Sequence, residues 1–376
     1  MNKQSSIKQR STAKLDIKKA VTPRELRQFR KFARDLYKGD SGWVASRLYV
    51  LDIFLKRKDS FCKEALILPV MVIRHKEILA QCIFVSHPGL PVLQIAFFEA
   101  LAEENEAVDR LLTAARTHGR ENGCKEIVAG LNGHLAYGVG IMTGGWGRPT
   151  SFDSLYHKDY YADYFRRRGL KEFSLSTYQF DPRELDRRYS PFSRSYPQFS
   201  FRSLDMNRWE EEMTLFGELS NRCLNQTRYY FERPGKQLYE LMSEMKFFMK
   251  PEYLVFIMKG EEEIGFLFWY PDFNEVLRPG QYYSVVKFGL RYLFHRKPFE
   301  TLKVNAIGIL PRYRKTAAAM GLMMAGLNSA GLNYSRGETN FVWDCNEDSR
   351  RFNLGMGGQV DRRYSVFCDK IEGDYV

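Results

Sequence analysis

"LPRYRKTAAAMG", residues 310–321, follows the apolar run "LKVNAIGIL" and places Arg312, Arg314, Lys315 and Thr316 ahead of Ala317, Ala318 and Ala319. The run before the proline predicts a strand, and the alanines and methionines after it predict a helix from about 316 to 330. A strand that passes through a short basic loop into a helix offers an anion unpaired backbone N–H groups and the positive end of the helix dipole. Glycine suits such a loop because bare backbone lets a phosphate approach closely. Each alanine adds one methyl, tolerable where φ is negative. The residue types leave two readings open: a pyrophosphate cradle, or the plain start of an alanine-rich helix.

Beyond this junction the sequence predicts a strand "TNFVWD", a helix near 347–354 and a strand "YSVFCDKI". Before it come a strand at 199–204, helices at 207–222 and 235–246, strands "YLVFIMK" and "EIGFLFW", and an insertion at 271–298. The first half runs in the same order. It has strands at 14–20, 69–75, 78–85 and 92–98, helices after Thr22, and a helix in "EENEAVDRLLTAARTHGREN" with Val108, Leu111, Leu112 and Ala115 at helical spacing. A strand "KEIVAGL" and a helix and strand within 160–180 complete it. Prolines, serines and arginines in "DPRELDRRYSPFSRSYPQ" predict a linker at 181–198. The expected fold is α+β (mixed α/β) with two tandem units, 15–180 and 199–376, after a basic N-terminal segment at 1–14.

Composition agrees with two folded domains: 376 residues, 44% hydrophobic and 15% aromatic. No apolar run approaches the roughly 18 residues a membrane helix requires. The N-terminus lacks the apolar centre of a secretory signal, so a cytoplasmic location is expected. Six cysteines without a C-x-x-C pair and six histidines without H-x-x-x-H suggest buried thiols and no metal site. The net charge of +12 favours polyanionic partners: a phosphorylated co-substrate, RNA or an anionic membrane.

The junction resembles the acyl-CoA-binding motif of the GNAT N-acyltransferase superfamily. The pattern [QR]-x-x-G-x-[GA] falls on Arg314, Lys315, Thr316, Ala317, Ala318 and Ala319, with Ala317 where the first glycine stands. The following "ETNFVWDCN" and "EDSRRFNLGMGGQVDRRYSVF" resemble the superfamily's closing strand, helix and strand. "YPDFNEVL" at 270–277 and "DLYKGDSGWV" at 35–44 are similar to segments of a bacterial group of tandem GNAT-like proteins, so the resemblance spans about 15 to 371.

This resemblance implies an acyl-CoA-dependent N-acyltransferase acting on a small-molecule or peptide amine, with acetyl-CoA or another acyl-CoA as co-substrate and no metal. It places the acyl-CoA on Ile309, Arg312, Arg314, Lys315, Thr316, Ala317, Ala319 and Asn346. The thioester oxygen is expected on backbone N–H groups of 304–309. Asn353 stands where many members carry the tyrosine that protonates the leaving thiolate, and Tyr364 is the substitute. Asp344, ahead of Glu338 and Asp272, is the expected amine base. In the first half Glu103, Glu104, Glu106 and Asp109 would repel pyrophosphate, so that copy is expected to be structural or substrate-facing. The glycine-rich stretch at 130–152 could close a cleft, with His134 a satisfied loop residue. Two alternatives remain: a tandem transferase that uses aminoacyl-tRNA, and an inactive protein that binds CoA or another ligand.

Overall fold

The computed structural model describes residues 14–45, 48–191, 198–281, 283–331 and 333–371. The first half contains β1 (Asp16–Lys19), α1 (Pro23–Asp35), α2 (Leu48–Lys56), α3 (Ser60–Glu64), β2 (Leu66–Arg74), β3 (Glu77–His87) and β4 (Leu90–Ala100). It continues with α4 (Asn105–Glu121), β5 (Glu126–Ala129), β6 (Ile141–Gly144), α5 (Tyr161–Arg166) and β7 (Lys171–Phe180). Local chemistry sets several of these boundaries. Thr22 and Glu25 form a reciprocal capping box that starts α1, with Pro23 in its first turn. The apolar stripe of α4, including Val108, Leu111, Leu112 and Ala115, is buried against the sheet.

The expected linker begins with a helix, α6 (Pro182–Tyr189). Its cause is legible in "DPREL": the Asp181 side chain accepts the N–H groups of Arg183 and Glu184, and Pro182 follows the cap. Residues 192–197 of that linker lie outside the described residues.

The second half contains β8 (Ser200–Ser203), α7 (Trp209–Leu224), α8 (Gly235–Met242), β9 (Leu254–Lys259), β10 (Glu262–Pro271) and α9 (Val285–Leu293). Then come β11 (Thr301–Ile309), α10 (Ala318–Ala330), β12 (Arg336–Thr339), β13 (Val342–Trp343), α11 (Glu347–Gly355) and β14 (Gln359–Lys370). The short β6, among glycines, and the break between β12 and β13 within "TNFVWD" escape periodicity.

All the strands form one 14-stranded sheet, whose main path runs β1-β2-β3-β4-β5-β14-β7-β12-β11-β10-β9-β8. That order mirrors itself about the β14–β7 pair, as two copies of one unit related by a pseudo-two-fold would. The closing strands are exchanged: β14 pairs with β5 of the first half, and β7 pairs with β12 of the second. The sheet therefore does not break at the linker. The long antiparallel β14–β7 ladder buries Leu175, Tyr178, Val366 and Phe367, each side chain contributing about 1.5–3 kcal/mol.

Among the described pairings only β4–β5 and β11–β12 are parallel. In both, the longer strand runs on after its partner ends. β11 pairs with β12 from Thr301 to Val304 and then continues to Ile309, and a bulge against β10 leaves Asn305 without an opposite residue. Divergence of a parallel pair beside a bulge opens the sheet locally.

Candidate active site

The opening beside β11 leads into a cavity of about 320 Å³. The β11 residues Val304–Ile307, the 339–343 segment, and faces of α7, α8, α10 and α11 line it. The first half also contributes to the wall, chiefly through residues 134–139 and Phe152–Leu155 of the glycine-rich stretch and its continuation. The strand exchange places these loops over the second half's opening. Most of the lining is apolar, including Phe216, Leu241, Met245, Phe268, Met323 and Trp343.

Asp153 is the one carboxylate among the described cavity-lining residues. Its backbone is left-handed, with φ 66°, and its side chain accepts a hydrogen bond from Asn305 Nδ2 at 3.1 Å. Asn305 also donates to the Tyr270 hydroxyl at 2.8 Å. Neighbouring contacts anchor this loop. Buried Asp272 accepts the N–H groups of Phe152 at 2.6 Å and Asn274 at 2.9 Å. Burial pushes its carboxyl up to about 7, against the pull of those two N–H groups. Buried Glu338 accepts from Arg362 at 3.0 Å and from Ser151 at 2.9 Å, with Lys303 at 3.5 Å. Burial raises the Glu338 carboxyl, but Lys303, Arg362 and Arg148 outweigh it and hold the group below its ordinary range. Glu338 and Asp272 are therefore committed to holding the wall together and do not line the cavity.

His134 lines the cavity, and its ring is fully engaged. Nδ1 accepts the Ala136 N–H at 3.2 Å, which leaves Nε2 protonated to donate to Phe231 O at 3.1 Å. Burial, aided by Arg233, lowers its pKa to about 3, so the imidazole is neutral. Arg233, the one lysine or arginine among the described lining residues, donates to Gln237 Oε1 and to the Tyr137 hydroxyl. Both groups brace the wall.

The structure separates the expected site residues. Tyr364 lines the cavity and donates to Leu155 O at 3.1 Å, and burial keeps its phenol well above the usual range. Asn346 and Asn353 also border the cavity. Asn346 Oδ1 caps α11 by accepting the Ser349 N–H at 3.1 Å, and Asn353 donates to Ser349 O at 2.7 Å. The carboxylate of Asp344, the expected base, accepts from Ser176 at 2.9 Å on β7 and is not among the described cavity-lining residues.

The basic junction keeps its strand–loop–helix form. Ile309 ends β11, a 3-10 turn covers Pro311–Tyr313, and α10 starts after Ala317 at φ −71°. That angle carries no penalty for alanine, so the missing glycine costs only a methyl. Thr316 Oγ1 accepts the Ala318 N–H at 3.2 Å, and the first i−4 bond of the helix is Gly321 N–H to Ala317 O. Among the described residues the N–H groups of Ala317, Ala319 and Met320 meet no protein acceptor. Exposed Lys315 sits beside them.

Two expected phosphate contacts are occupied by the protein itself. Arg314 donates to Cys223 O at 2.7 Å, Gln226 Oε1 at 2.9 Å and Ile309 O at 3.3 Å, clasping the loop to the end of α7. Arg312 pairs with Glu262.

The first half's corresponding opening is taken up by its own chain. Asn132 Oδ1 accepts the Phe97 N–H at 2.8 Å on the β4 bulge, and Gln94 exchanges two hydrogen bonds with Gly133. Glu104, in the loop before α4, pairs with Arg74.

Sequence reasoning missed Asp153 and Asn305. A polar residue inside the apolar run "VNAIGI" was a signal for Asn305. Asp153 had none, because only the exchanged topology brings its loop to β11. Among the described residues no cluster of metal-ligating side chains occurs, and no helix is long and apolar enough to cross a membrane. Five cysteines are buried, as expected, while Cys345 is exposed.

No protein-family profile and no curated protein matches the chain. Solved structures do. A tandem GNAT protein from the clavulanic acid biosynthesis pathway is 12% identical with a TM-score of 0.55, covering 96% of this chain and 100% of its own. A probable N-acyltransferase from Enterococcus faecalis is 9% identical with a TM-score of 0.55, covering 96% of this chain and 73% of its own. A GCN5-related N-acetyltransferase from Anabaena variabilis gives 9%, 0.53, 96% and 73%. At such identities the likeness is one of fold: the chain carries two GNAT-like units in tandem.

Proposed function

We propose that, on this tandem GNAT fold, the second half binds an acyl-CoA and transfers its acyl group to an amine held in the cavity beneath the first half's loop. The observation that carries the reading is the parting of β11 from β12 beside a bulge, at the same strand end that leads into the open N–H groups of α10. A thioester supplies an activated acyl carbon and a thiolate leaving group. The N–H groups of Ala317, Ala319 and Met320, with Lys315, suit a pyrophosphate, and Asn346 and the α11 face suit the arm that follows. The edge of β11 at 305–307 borders the cavity where the acyl group would lie.

Asp153 holds the amine nitrogen against that edge, steadied by Asn305, and orients it for attack. Tyr364 is protonated and supplies the hydroxyl that is lost where Asn353 stands in place of the family's tyrosine. The apolar lining fits an acceptor with a largely hydrocarbon or aromatic body. Three features support this over an aminoacyl-tRNA donor: a largely apolar cavity, a single carboxylate among its described lining residues, and a helix start open to phosphate.

The test is a product screen. Wild-type protein is incubated with acetyl-CoA and a panel of aromatic and aliphatic primary amines, and N-acetylated products are sought by mass spectrometry. Turnover is expected in the wild type and a loss of about 10- to 100-fold in kcat/KM for Asp153→Asn, the equivalent of one charge-assisted contact. Calorimetry that finds no affinity for acetyl-CoA or longer acyl-CoAs would overturn the donor assignment. Binding without any product would overturn the transferase reading.

A further inference from the structure

The insertion between β10 and β11 carries a feature the active site does not use. Helix α9 is amphipathic, but its apolar residues point two ways. Phe288 and Tyr292 face inward, where Phe288 packs against Phe152 and Phe248, and Tyr292 against Phe273. Val286, Leu290, Leu293 and the following Phe294 face outward, exposed by 72%, 50%, 61% and 75%. Their spacing of i, i+4, i+7 and i+8 places them on one stripe of the helix surface. A contiguous row of large apolar side chains left in water at one element marks an interaction surface.

Charge identifies what covers it. Between Glu275 and Glu300 the sequence holds Arg278, Lys287, Arg291, Arg296 and Lys297 and no carboxylate. Lys287, Arg296 and Lys297 are exposed beside the stripe. Arg291 is fixed at the helix flank by donating to Val276 O at 2.6 Å. An apolar stripe with Leu and Phe, on a segment whose charged residues are all cations, is the pattern of a helix lying in the interface of an anionic bilayer. A second copy of the chain fits less well, because a two-fold contact would set the same cations against themselves.

We infer that α9 docks this protein on an anionic lipid surface, with Val286, Leu290, Leu293 and Phe294 entering the acyl boundary and Lys287, Arg296 and Lys297 meeting the headgroups. The docking element sits close to the catalytic cavity, since Phe288 on its inner face touches Phe152, the neighbour of Asp153.

The experiment is co-sedimentation of the full chain with phosphatidylcholine vesicles, with and without phosphatidylglycerol, at low and high salt. Binding is expected only to the mixed vesicles and weakens as salt screens it. The triple variant Lys287→Gln, Arg296→Gln, Lys297→Gln should partition on the order of 100-fold less, and Leu290→Gln with Phe294→Gln should fall by a similar factor. Both variants keep the basic N-terminal segment, so general cationic attraction is held constant. All five changes are at exposed positions, and melting curves matching the wild type establish that a loss is not unfolding. No binding to the mixed vesicles, equal binding to neutral ones, or retention by both variants would overturn the inference. So would a concentration-dependent dimer, abolished by the Leu290 and Phe294 changes, without vesicle binding.

Discussion

Asp153 sits at a backbone angle that aspartate tolerates and most other side chains do not, and replacing it separates strain from function. At φ 66° any residue with a Cβ other than Asn or Asp is strained, by about 1–2 kcal/mol for alanine. Asp153→Ala and Asp153→Gly both remove the carboxylate and its 3.1 Å contact with Asn305. They differ only in the backbone. Glycine escapes the strain but carries roughly 0.5–1 kcal/mol more unfolded-state entropy, so the glycine variant should be the more stable by about 0.5–1 kcal/mol. Asp153→Asn tolerates the angle and should stay near the wild type in stability. All three should lose about 10- to 100-fold in kcat/KM against any amine that the wild type acetylates. Urea titrations of the four proteins give the stability order, and steady-state kinetics gives the activity. An alanine variant as stable as the glycine one would refute the backbone argument. Undiminished turnover in all three would refute the role of the carboxylate.

Arg314→Ala should destabilise the second half by about 1.5–3 kcal/mol, because it unclasps the loop from Cys223 O and Gln226; an unchanged urea midpoint would show the clasp to be inert. Asp272 has a folded-state pKa raised from 3.8 to about 7, so the folded protein binds the extra proton and stability falls as pH rises from about 4 to 7, then levels. In Asp272→Asn that fall should shrink, which melting curves across this range will show. Gly337→Ala would place a Cβ 2.3 Å from the Phe180 ring across the exchanged β12–β7 pair. We expect a loss of about 1–3 kcal/mol by denaturant titration, and no loss would mean that the ring moves freely.

Much of the architecture was legible because it is local. Apolar alternation located β3, β4, β9, β10 and β11 to within a few residues, and the basic loop after Ile309 announced the strand-to-helix junction. The parts that escaped depend on partners distant in sequence. Nothing in "YSVFCDKI" says that it pairs with β5 rather than β12. Asp344 seemed placed for chemistry by its distance from Asn346, yet its orientation is set by Ser176 on an exchanged strand. Arg314 matched a phosphate contact by type and position, but the end of α7, 91 residues away, claims its guanidinium.

The exchange of β7 and β14 also governs how the chain can acquire its structure. β5 pairs with β4 at once but meets its second sheet neighbour only when β14 has been made, so the first half leaves the ribosome with one open strand edge on β5. Closing that edge pairs Ala129 with Phe367 and Glu126 with Lys370, the kind of late, non-local pairing that slows folding. A nascent chain stalled before 359 would hold β5 paired with β4 on one edge and open on the other, prone to association through that edge, and the cavity wall would remain unassembled until β14 arrived.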